Sequence, residues 1–208
     1  MRRKLACSAV GSLLSLGAIA APVIYNNDVL SGRAAFDSTI TGRGRPERSP
    51  RPPPGGSPMS EPLVLVEAEG PVLVVTINRP EKKNAANAEV LCRMYDAWVR
   101  LDEDPELRVA ILTGKGDTFC AGMDLGEIGR LQAGVVDNEW LQRFKDEPEV
   151  ILGGWLKTYR PTKPVILAAE GYARAGGTEI LQGTDIRVAG ESAVFGVTEV
   201  QRGLFPMA

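Results

Sequence analysis

The sequence predicts an α/β (α+β) fold in which pairs of short strands alternate with helices. Short runs rich in Val, Ile and Leu recur from residue 63 onward, and turn residues such as Gly, Pro and Asn bound them. Between two of these runs, residues 87–104 carry apolar side chains at helical spacing. The alternation of strand pairs and helices favours a sheet covered by helices, and the sequence contains no detectable repeat.

Composition narrows the chemistry that this chain can perform. The 208 residues are 44% hydrophobic and carry a formal net charge of −2, which is typical of a globular enzyme domain and not of a nucleic-acid binder. The absence of histidine excludes Ser-His-Asp and Cys-His nucleophiles and every His-containing metal site. Cys7, Cys92 and Cys120 are too scattered for a disulfide framework or a zinc site, and they suit a reducing compartment.

Residues 1–58 differ in composition from residues 59–208, and three interpretations of them compete. A basic start, an apolar run from Leu5 to Ile24 and the small residues Ala18-Ile19-Ala20 resemble a secretory signal peptide, while the lack of acids before Asp28 suits a transit peptide. The following Arg-, Pro- and Gly-rich stretch predicts disorder. Alternatively, Met59 is the true start and residues 1–58 are a leader upstream of it.

The first part of the folded region predicts a hairpin followed by a helix. Residues 63–67 and 72–78 are two β-rich runs that Glu69-Gly-Pro joins, and a polar loop follows at 78–85. Asn87 is a candidate N-cap for a helix that ends near Asp104. Cys92 lies between apolar positions of this helix, so we expect it to pack in the core.

The second part predicts further strands and helices. We expect strands at 108–113, 165–169, 185–189 and 192–195, a loop at 115–122, and a short helix that opens at 123–125. Residues 137–158 predict two helices separated at Pro148. A further helix begins at Gly176-Gly177, and Glu179 lies in its first turn.

Two glycine-bearing turns follow strands, at 121–123 and 175–177. If the two strand ends lie side by side, one backbone N–H from each turn can converge on a single oxygen and form an oxyanion hole. The alternative is that both are ordinary strand-to-helix turns that need glycine for backbone reasons.

Glu179 and Glu199 are the candidates for acid–base chemistry. Without histidine, a pair of glutamates is the natural way to supply complementary proton-transfer groups at one reacting centre. The alternative is that Glu179 only stabilises the start of a helix and that Glu199 is a solvated loop acid.

Four motifs in register resemble the enoyl-CoA hydratase/isomerase (crotonase) superfamily. They are NRPEKKNA at 78–85, FCAGMDL at 119–125, GYARAGGTE at 171–179 and FGVTEVQRGLFP at 195–206. The resemblance runs from about residue 63 to the end of the sequence. It implies a spiral of ββα turns in which a thioester carbonyl is held by two backbone N–H groups.

Within this resemblance, each site residue is assigned by its place in a motif. The oxyanion donors correspond to the N–H groups of Met123 and Gly176, assisted by the positive end of the helix that starts near Gly177. Glu179 and Glu199 correspond to the two glutamates that hold the water of hydration. The resemblance further implies substrate-binding residues: Lys82, Lys83, Ala121, Gly122, Asp124 and Gly177.

The resemblance implies hydration of trans-2-enoyl-CoA to 3-hydroxyacyl-CoA by a cytoplasmic enzyme. It implies no cofactor, because coenzyme A is part of the substrate, and no metal or nucleic-acid partner; related proteins form homotrimers or hexamers. The alternatives are an enoyl-CoA isomerase, a non-catalytic module, and an exported or organellar protein if residues 1–27 are a targeting segment. The sequence departs from the family pattern in two places. Residue 175 is Ala where glycine is usual, and the sequence ends at Ala208, which would leave the crotonase-like core at 59–208 incomplete.

Overall fold

The computed structural model describes residues 61–203 and 205–206. The predicted leader at 1–58 therefore lies outside the described residues. The strands and α-helices follow one another along the chain as β1 (Val64–Glu69), β2 (Val72–Ile77), α1 (Ala88–Glu103), β3 (Val109–Gly114), β4 (Thr118–Cys120), α2 (Leu125–Gln132), α3 (Glu139–Asp146), α4 (Glu149–Gly154), β5 (Val165–Ala169), β6 (Tyr172–Arg174), α5 (Gly176–Glu179), β7 (Ile186–Ala189) and β8 (Val194–Gly196).

The predicted hairpin and first helix are confirmed. Strands β1 and β2 pair antiparallel around Gly70, whose φ of +58° suits glycine. Helix α1 begins after Asn87, whose side chain accepts a hydrogen bond from the N–H of Val90 at 3.0 Å. The helix buries one face against the sheet, and Cys92 lies on that face, as expected.

Three further pairs of strands build the rest of the fold: α-helices follow the first two pairs, and the 3-10 turn Glu199–Arg202 follows the third. Strands β3, β5 and β7 join β1 and β2 in a five-stranded sheet of order β1-β2-β3-β5-β7, and β4, β6 and β8 form a separate three-stranded sheet. Except for the β1–β2 hairpin, the paired strands are parallel. Each of these three pairs thus contributes one strand to each sheet, and equivalent strands of successive pairs lie side by side.

The small sheet corrects the sequence prediction. Residues 115–122 were expected to form a loop, but Thr118–Cys120 is strand β4, and the strand β6 was not foreseen after Gly171. Both strands have only three residues, and a register irregularity interrupts β4. Such short segments carry no detectable two-residue alternation, so the pairing between neighbouring turns decides their conformation.

The remaining helices lie where the sequence predicts them, but the helix that begins at Gly176 is short. Helices α3 and α4 meet at Pro148, as expected. Helix α5 has four residues and continues as a 3-10 turn over Ile180–Gly183. None of the helices in the described part of the chain has the length and apolar character needed to cross a membrane.

The core lies between the large sheet and helices α1 and α4, and the last pair of strands, β7 and β8, is less covered than the others. Trp98 and Leu112 are fully buried in this core. In contrast, Ile186 on β7 and Phe195 on β8 are exposed by 53% and 39%. Within the described residues, the outer strands of both sheets therefore have apolar side chains without a covering layer.

Candidate active site

The fold places the two glycine-bearing turns next to each other. Strands β4 and β6 pair in parallel, so the turns that follow them lie at the same edge of the small sheet. Gly122 has a φ of +94°, and a Cβ added to it would lie 2.8 Å from Ala175 Cβ and 3.3 Å from Gly176 N. The first turn therefore approaches the second closely enough to need glycine at this position.

The backbone N–H of Met123 points away from the neighbouring segment at Ala86. The Ala86 N–H donates to Gly122 O at 2.7 Å, and the Asp124 N–H donates to Ala86 O at 2.8 Å. A parallel bridge of this kind uses the peptide groups on both sides of Met123 and leaves its own N–H pointing outward. Among the hydrogen bonds of the described residues, none is donated by this N–H.

The second turn presents the N–H of Gly176 in the same region. Gly176 is the first residue of α5, where N–H groups have no partner within the helix. Among the described residues, the Gly176 N–H donates a hydrogen bond to no other group. The preceding Ala175 has a φ of 51° and a ψ of −126°, a conformation that only glycine adopts without strain.

Hydrogen bonds tie the second turn to strand β8. The Ala175 N–H donates to Gly196 O at 2.9 Å, and the Gly196 N–H donates to Thr178 Oγ1 at 2.9 Å. The Thr178 hydroxyl also contacts Ala173 O at 2.5 Å. The start of α5 and the end of β8 are consequently held together, which brings the segments that carry Glu179 and Glu199 side by side.

Glu179 is a buried carboxylate with a cation beside it. The residue is only 6% exposed, and its Oε2 lies 2.5 Å from Lys157 Nζ. Burial of a charged group without a counter-charge is strongly unfavourable. The lysine therefore offsets part of the cost of burying this charge.

Glu199 opens the 3-10 turn Glu199–Arg202, three residues after β8. Its Oε2 is inaccessible and has no hydrogen-bond partner among the described residues. A buried carboxyl oxygen of this kind retains unused hydrogen-bonding capacity. A water molecule or a substrate atom can satisfy that capacity.

The predicted substrate-binding loop contacts the first glycine turn through its backbone. The Ala121 N–H donates to Lys83 O at 3.0 Å, so the loop that contains Lys82 and Lys83 lies against this turn. The side chain of Lys82 is exposed. The ammonium of Lys83 lies 3.3 Å from Asp117 in an exposed pair, which contributes little to stability.

Asp124 is engaged in the structure of the first turn. Its carboxylate caps α2 by accepting from the N–H of Gly126 at 2.9 Å, and it pairs with Arg79 at 2.7 Å. Partial burial acts to raise the pKa of this carboxyl, but the Arg79 guanidinium and the helix N–H groups outweigh it and lower the pKa. The carboxylate thus holds the first turn in place, and its contact with substrate stays a prediction.

Gly177 and Cys120 lie where the second turn packs against β4. A Cβ on Gly177 would lie 2.5 Å from Cys120 O, so this close approach requires glycine. Burial raises the pKa of the Cys120 thiol to about 12, which makes it a packing residue and not a nucleophile. The described residues include no group of three or more His, Cys, Asp or Glu side chains that could hold a metal ion.

Two residues that contact the site were not foreseen from the sequence. Trp155 was expected to pack within a helix, but α4 ends at Gly154, and the Trp155 Nε1–H donates to Met123 Sδ at 3.4 Å. A Cβ added to Gly176 would lie 3.0 Å from the Trp155 ring, so this ring contacts both turns. Lys157 follows two residues later. No periodicity or motif distinguishes these residues, because only the tertiary contact gives them a role.

Comparison with known proteins identifies relatives of the described fold. The family profile described as "Enoyl-CoA hydratase/isomerase" matches residues 67–208. Enoyl-CoA hydratase EchA19 of Mycobacterium tuberculosis is 51% identical over 151 residues, which cover 71% of this chain and 54% of that protein. Mevalonyl-coenzyme A hydratase sidH of Aspergillus fumigatus is 41% identical over 137 residues, covering 66% of this chain and 48% of that protein.

Solved structures give the same family of folds. An enoyl-CoA hydratase from Mycobacterium tuberculosis is 46% identical with a TM-score of 0.59, and the match covers 71% of this chain and 53% of that chain. A carnitinyl-CoA hydratase from Mycobacterium avium is 35% identical with a TM-score of 0.60 and covers 71% and 53%. The chain spans about half the length of the curated relatives that it matches.

Proposed function

This chain belongs to the enoyl-CoA hydratase/isomerase family, and from that premise we propose that it adds water to a trans-2-enoyl-CoA to give a 3-hydroxyacyl-CoA. The observation that carries the proposal is the juxtaposition of the two glycine-bearing turns. Their N–H groups, on Met123 and Gly176, donate no hydrogen bond within the described residues. Two such donors suit a thioester oxygen that becomes negatively charged during the reaction.

The thioester carbonyl is the group that the two N–H donors would hold. When water attacks C3 of a conjugated enoyl thioester, electron density moves through the C2–C3 double bond to the carbonyl oxygen. Donors aimed at this oxygen stabilise the enolate-like transition state more than the substrate, which accelerates the reaction. Because α5 has only four residues, we attribute this stabilisation to the two N–H groups and not to the helix dipole.

The two glutamates would divide the proton transfers. Glu179 lies beside Lys157, and its carboxylate is the proposed acceptor of a proton from the attacking water. Glu199 Oε2, which has no hydrogen-bond partner among residues 61–203 and 205–206, suits contact with the same water. The water oxygen then bonds to C3 as one of its protons passes to a glutamate carboxylate. A glutamate carboxyl group gives one proton to C2, so that the elements of water are added across C2–C3 and the enzyme ends with as many protons as it started with.

The loop at 78–85 is the proposed contact for coenzyme A. The support for this proposal is the hydrogen bond from the Ala121 N–H to Lys83 O, which places the loop beside the first glycine turn. Lys82 and Lys83 are exposed cations at this place, and they suit the phosphates of coenzyme A. Named relatives act on enoyl, mevalonyl and carnitinyl thioesters, so the proposal covers the acyl-CoA class and leaves the acyl group open.

The test follows the absorbance of the conjugated thioester with crotonyl-CoA and with longer trans-2-enoyl-CoAs. We expect the absorbance to fall as 3-hydroxyacyl-CoA accumulates, and we expect Glu199→Gln to abolish most of this activity while the protein stays folded. Conversion of a 3-enoyl-CoA to the conjugated isomer without hydration would instead favour an isomerase. Absence of both reactions, with intact folding, would contradict an enzymatic role on enoyl-CoA.

A further inference from the structure

We propose that Lys157 is a positioning residue for Glu179, and that the strained turn at 155–157 exists to hold it there. This inference rests on the proposed function, because it assigns a role in the same site. It adds a residue that lies outside the four family-like motifs and that no spacing in the sequence predicted. The contact is between Lys157 Nζ and Glu179 Oε2 at 2.5 Å.

Both members of this pair are largely removed from solvent. The Lys157 side chain is 15% exposed and the Glu179 side chain is 5% exposed. In such surroundings the attraction between opposite charges is stronger than in water, and the geometry of the pair is correspondingly well defined. The ammonium fixes the position of one carboxylate oxygen and thereby the orientation of the whole group.

The backbone that delivers Lys157 is under strain. The Leu156 N–H donates to Gly153 O at 2.9 Å and the Lys157 N–H donates to Leu152 O at 2.9 Å, which is the Schellman arrangement at a helix end. This arrangement needs a left-handed residue, normally glycine, but here it is Leu156 with a φ of 57°. A branched residue in this conformation persists only when its surroundings hold it.

The surroundings of Leu156 explain how the strained turn is held. Leu156 is 1% exposed, and a Cβ added to Gly183 would lie 2.3 Å from Leu156 Cβ, so the two segments pack tightly. The neighbours of Leu156 on both sides reach the site: the Trp155 ring contacts Met123 and Gly176, and Lys157 pairs with Glu179. The strained turn at 155–157 therefore contacts the residues of both proposed oxyanion donors and one proposed catalytic acid.

The competing explanation is that Lys157 only compensates the buried charge of Glu179 and contributes to stability. The two explanations differ in what Lys157 does to the kcat of the folded protein. A positioning lysine affects turnover only when Glu179 is a carboxylate, so its effect on kcat should be present in the parent and disappear in the Glu179→Gln background. A lysine that only compensates the buried charge changes Tm and leaves the kcat of the folded protein unchanged in both backgrounds.

The experiment is a double-mutant cycle on the 208-residue chain with crotonyl-CoA as the probe. Lys157→Met removes the charge and keeps the length of the side chain. We expect it to lower kcat by roughly tenfold to a hundredfold, part of the 10²–10⁴ that positioned acid–base groups contribute, with little change in KM. We expect Lys157→Arg to restore most of the loss, and Lys157→Met to have no further effect on kcat beside Glu179→Gln.

Thermal unfolding supplies the control and a second readout. Lys163→Met makes the same chemical change at a lysine whose ammonium donates to Asp104 O at 2.6 Å, and it should leave kcat unchanged. Lys157→Met should lower Tm by about 5 °C or more in the parent, where it removes the counter-charge of a buried carboxylate, and should not lower it beside Glu179→Gln.

Each outcome decides between the explanations. An active parent in which Lys157→Met leaves kcat unchanged, or reduces it equally in both backgrounds, overturns the positioning role while the proposed function stands. A parent that hydrates no enoyl-CoA overturns the proposed function and the positioning role together. In that case, the Tm cycle still decides whether the two side chains form a stabilising pair.

Discussion

The two glycine-bearing turns have the same topology, but different interactions hold them. The first turn is fixed by polar contacts: Asp124 caps α2 and pairs with Arg79, and the chain around Met123 bridges to Ala86. The second turn has no side-chain cap on its helix and contains Ala175 in a strained conformation. Packing of the Trp155 ring against Gly176 and the hydrogen bonds of Thr178 hold it instead.

This difference indicates a division of roles between the turns. The first turn is held mainly by its own helix cap and by polar contacts with Arg79 and Ala86. The second turn presents an N–H and also carries the buried Glu179, so it depends on the segment after α4 for its position and for its counter-charge. We therefore expect substitutions in the second turn to affect turnover and those in the polar supports of the first turn to affect mainly stability.

The largest effect should come from the carboxylate that distinguishes the second turn. Glu179→Gln should lower kcat for crotonyl-CoA hydration by about 10²–10⁴-fold, because it removes the proposed proton acceptor. The matched change is Glu127→Gln, in helix α2, which follows the first glycine-bearing turn. Glu127 accepts a hydrogen bond from the Ala88 N–H, and an amide oxygen can do the same. Equal losses of kcat in the two variants would contradict the division of roles.

The next largest effect should come from the close approach between the turns. Gly122→Ala places a methyl group 2.8 Å from Ala175 Cβ at a residue with a φ of +94°. We expect it to cost about 1–3 kcal/mol of unfolding free energy. By displacing the Met123 N–H, it should also lower kcat by roughly tenfold to a hundredfold.

Gly70→Ala is the control for this substitution. Gly70 also has a positive φ, of +58°, but its added Cβ would meet nothing within 4 Å, and it lies at the end of β2 opposite to the loop at 78–85. Denaturant unfolding and steady-state kinetics should show a loss of stability without a loss of kcat. A normal kcat in the Gly122→Ala variant would show that the close approach between the two turns is not needed for catalysis.

A smaller and opposite effect is expected at Ala175. Glycine tolerates its φ of 51° and ψ of −126°, so Ala175→Gly should relieve strain of about 1–3 kcal/mol and lose part of this gain to the entropy of the unfolded chain. We expect a net stabilisation of about 1 kcal/mol in denaturant unfolding. Ala173→Gly, in the regular strand β6, should destabilise instead. A destabilised Ala175→Gly variant would show that the methyl contact with the first turn outweighs the strain.

The smallest effect concerns the ion pair of the first turn. The pKa of Asp124 is lowered in the folded state, so its contribution to stability is present above the unfolded pKa of about 3.9 and is lost as the pH falls through the folded pKa. Asp124→Asn keeps a cap and removes the charge, and it should cost about 0.5–1 kcal/mol at pH 7. Unfolding measured from pH 7 to pH 2 should show the two proteins converge. A difference that is constant with pH would exclude the ion pair as its cause.

Regular periodicity made much of the fold predictable. The hairpin around Gly70, the capped helix α1 and the strand β5 follow from apolar patterns bounded by turn residues, and these features are local. The strands β4 and β6 were missed because each has only three residues and neither contains Val, Ile or Leu, whereas the equally short β8 contains Val194 and was predicted. The positions of Glu179 and Glu199 in the sequence suggested an acid pair, whereas their surroundings depend on segments distant in the chain.

Residue type and spacing are enough to predict the class of the fold, the family motifs and the candidate pair of glutamates. The contact between the two turns, the pairing of Lys157 with Glu179 and the contact of Trp155 with both turns appear only in the folded protein. These contacts join residues on different pairs of strands and on the segment after α4. Their distances are set by how the sheets stack, and no local pattern in the chain encodes that stacking.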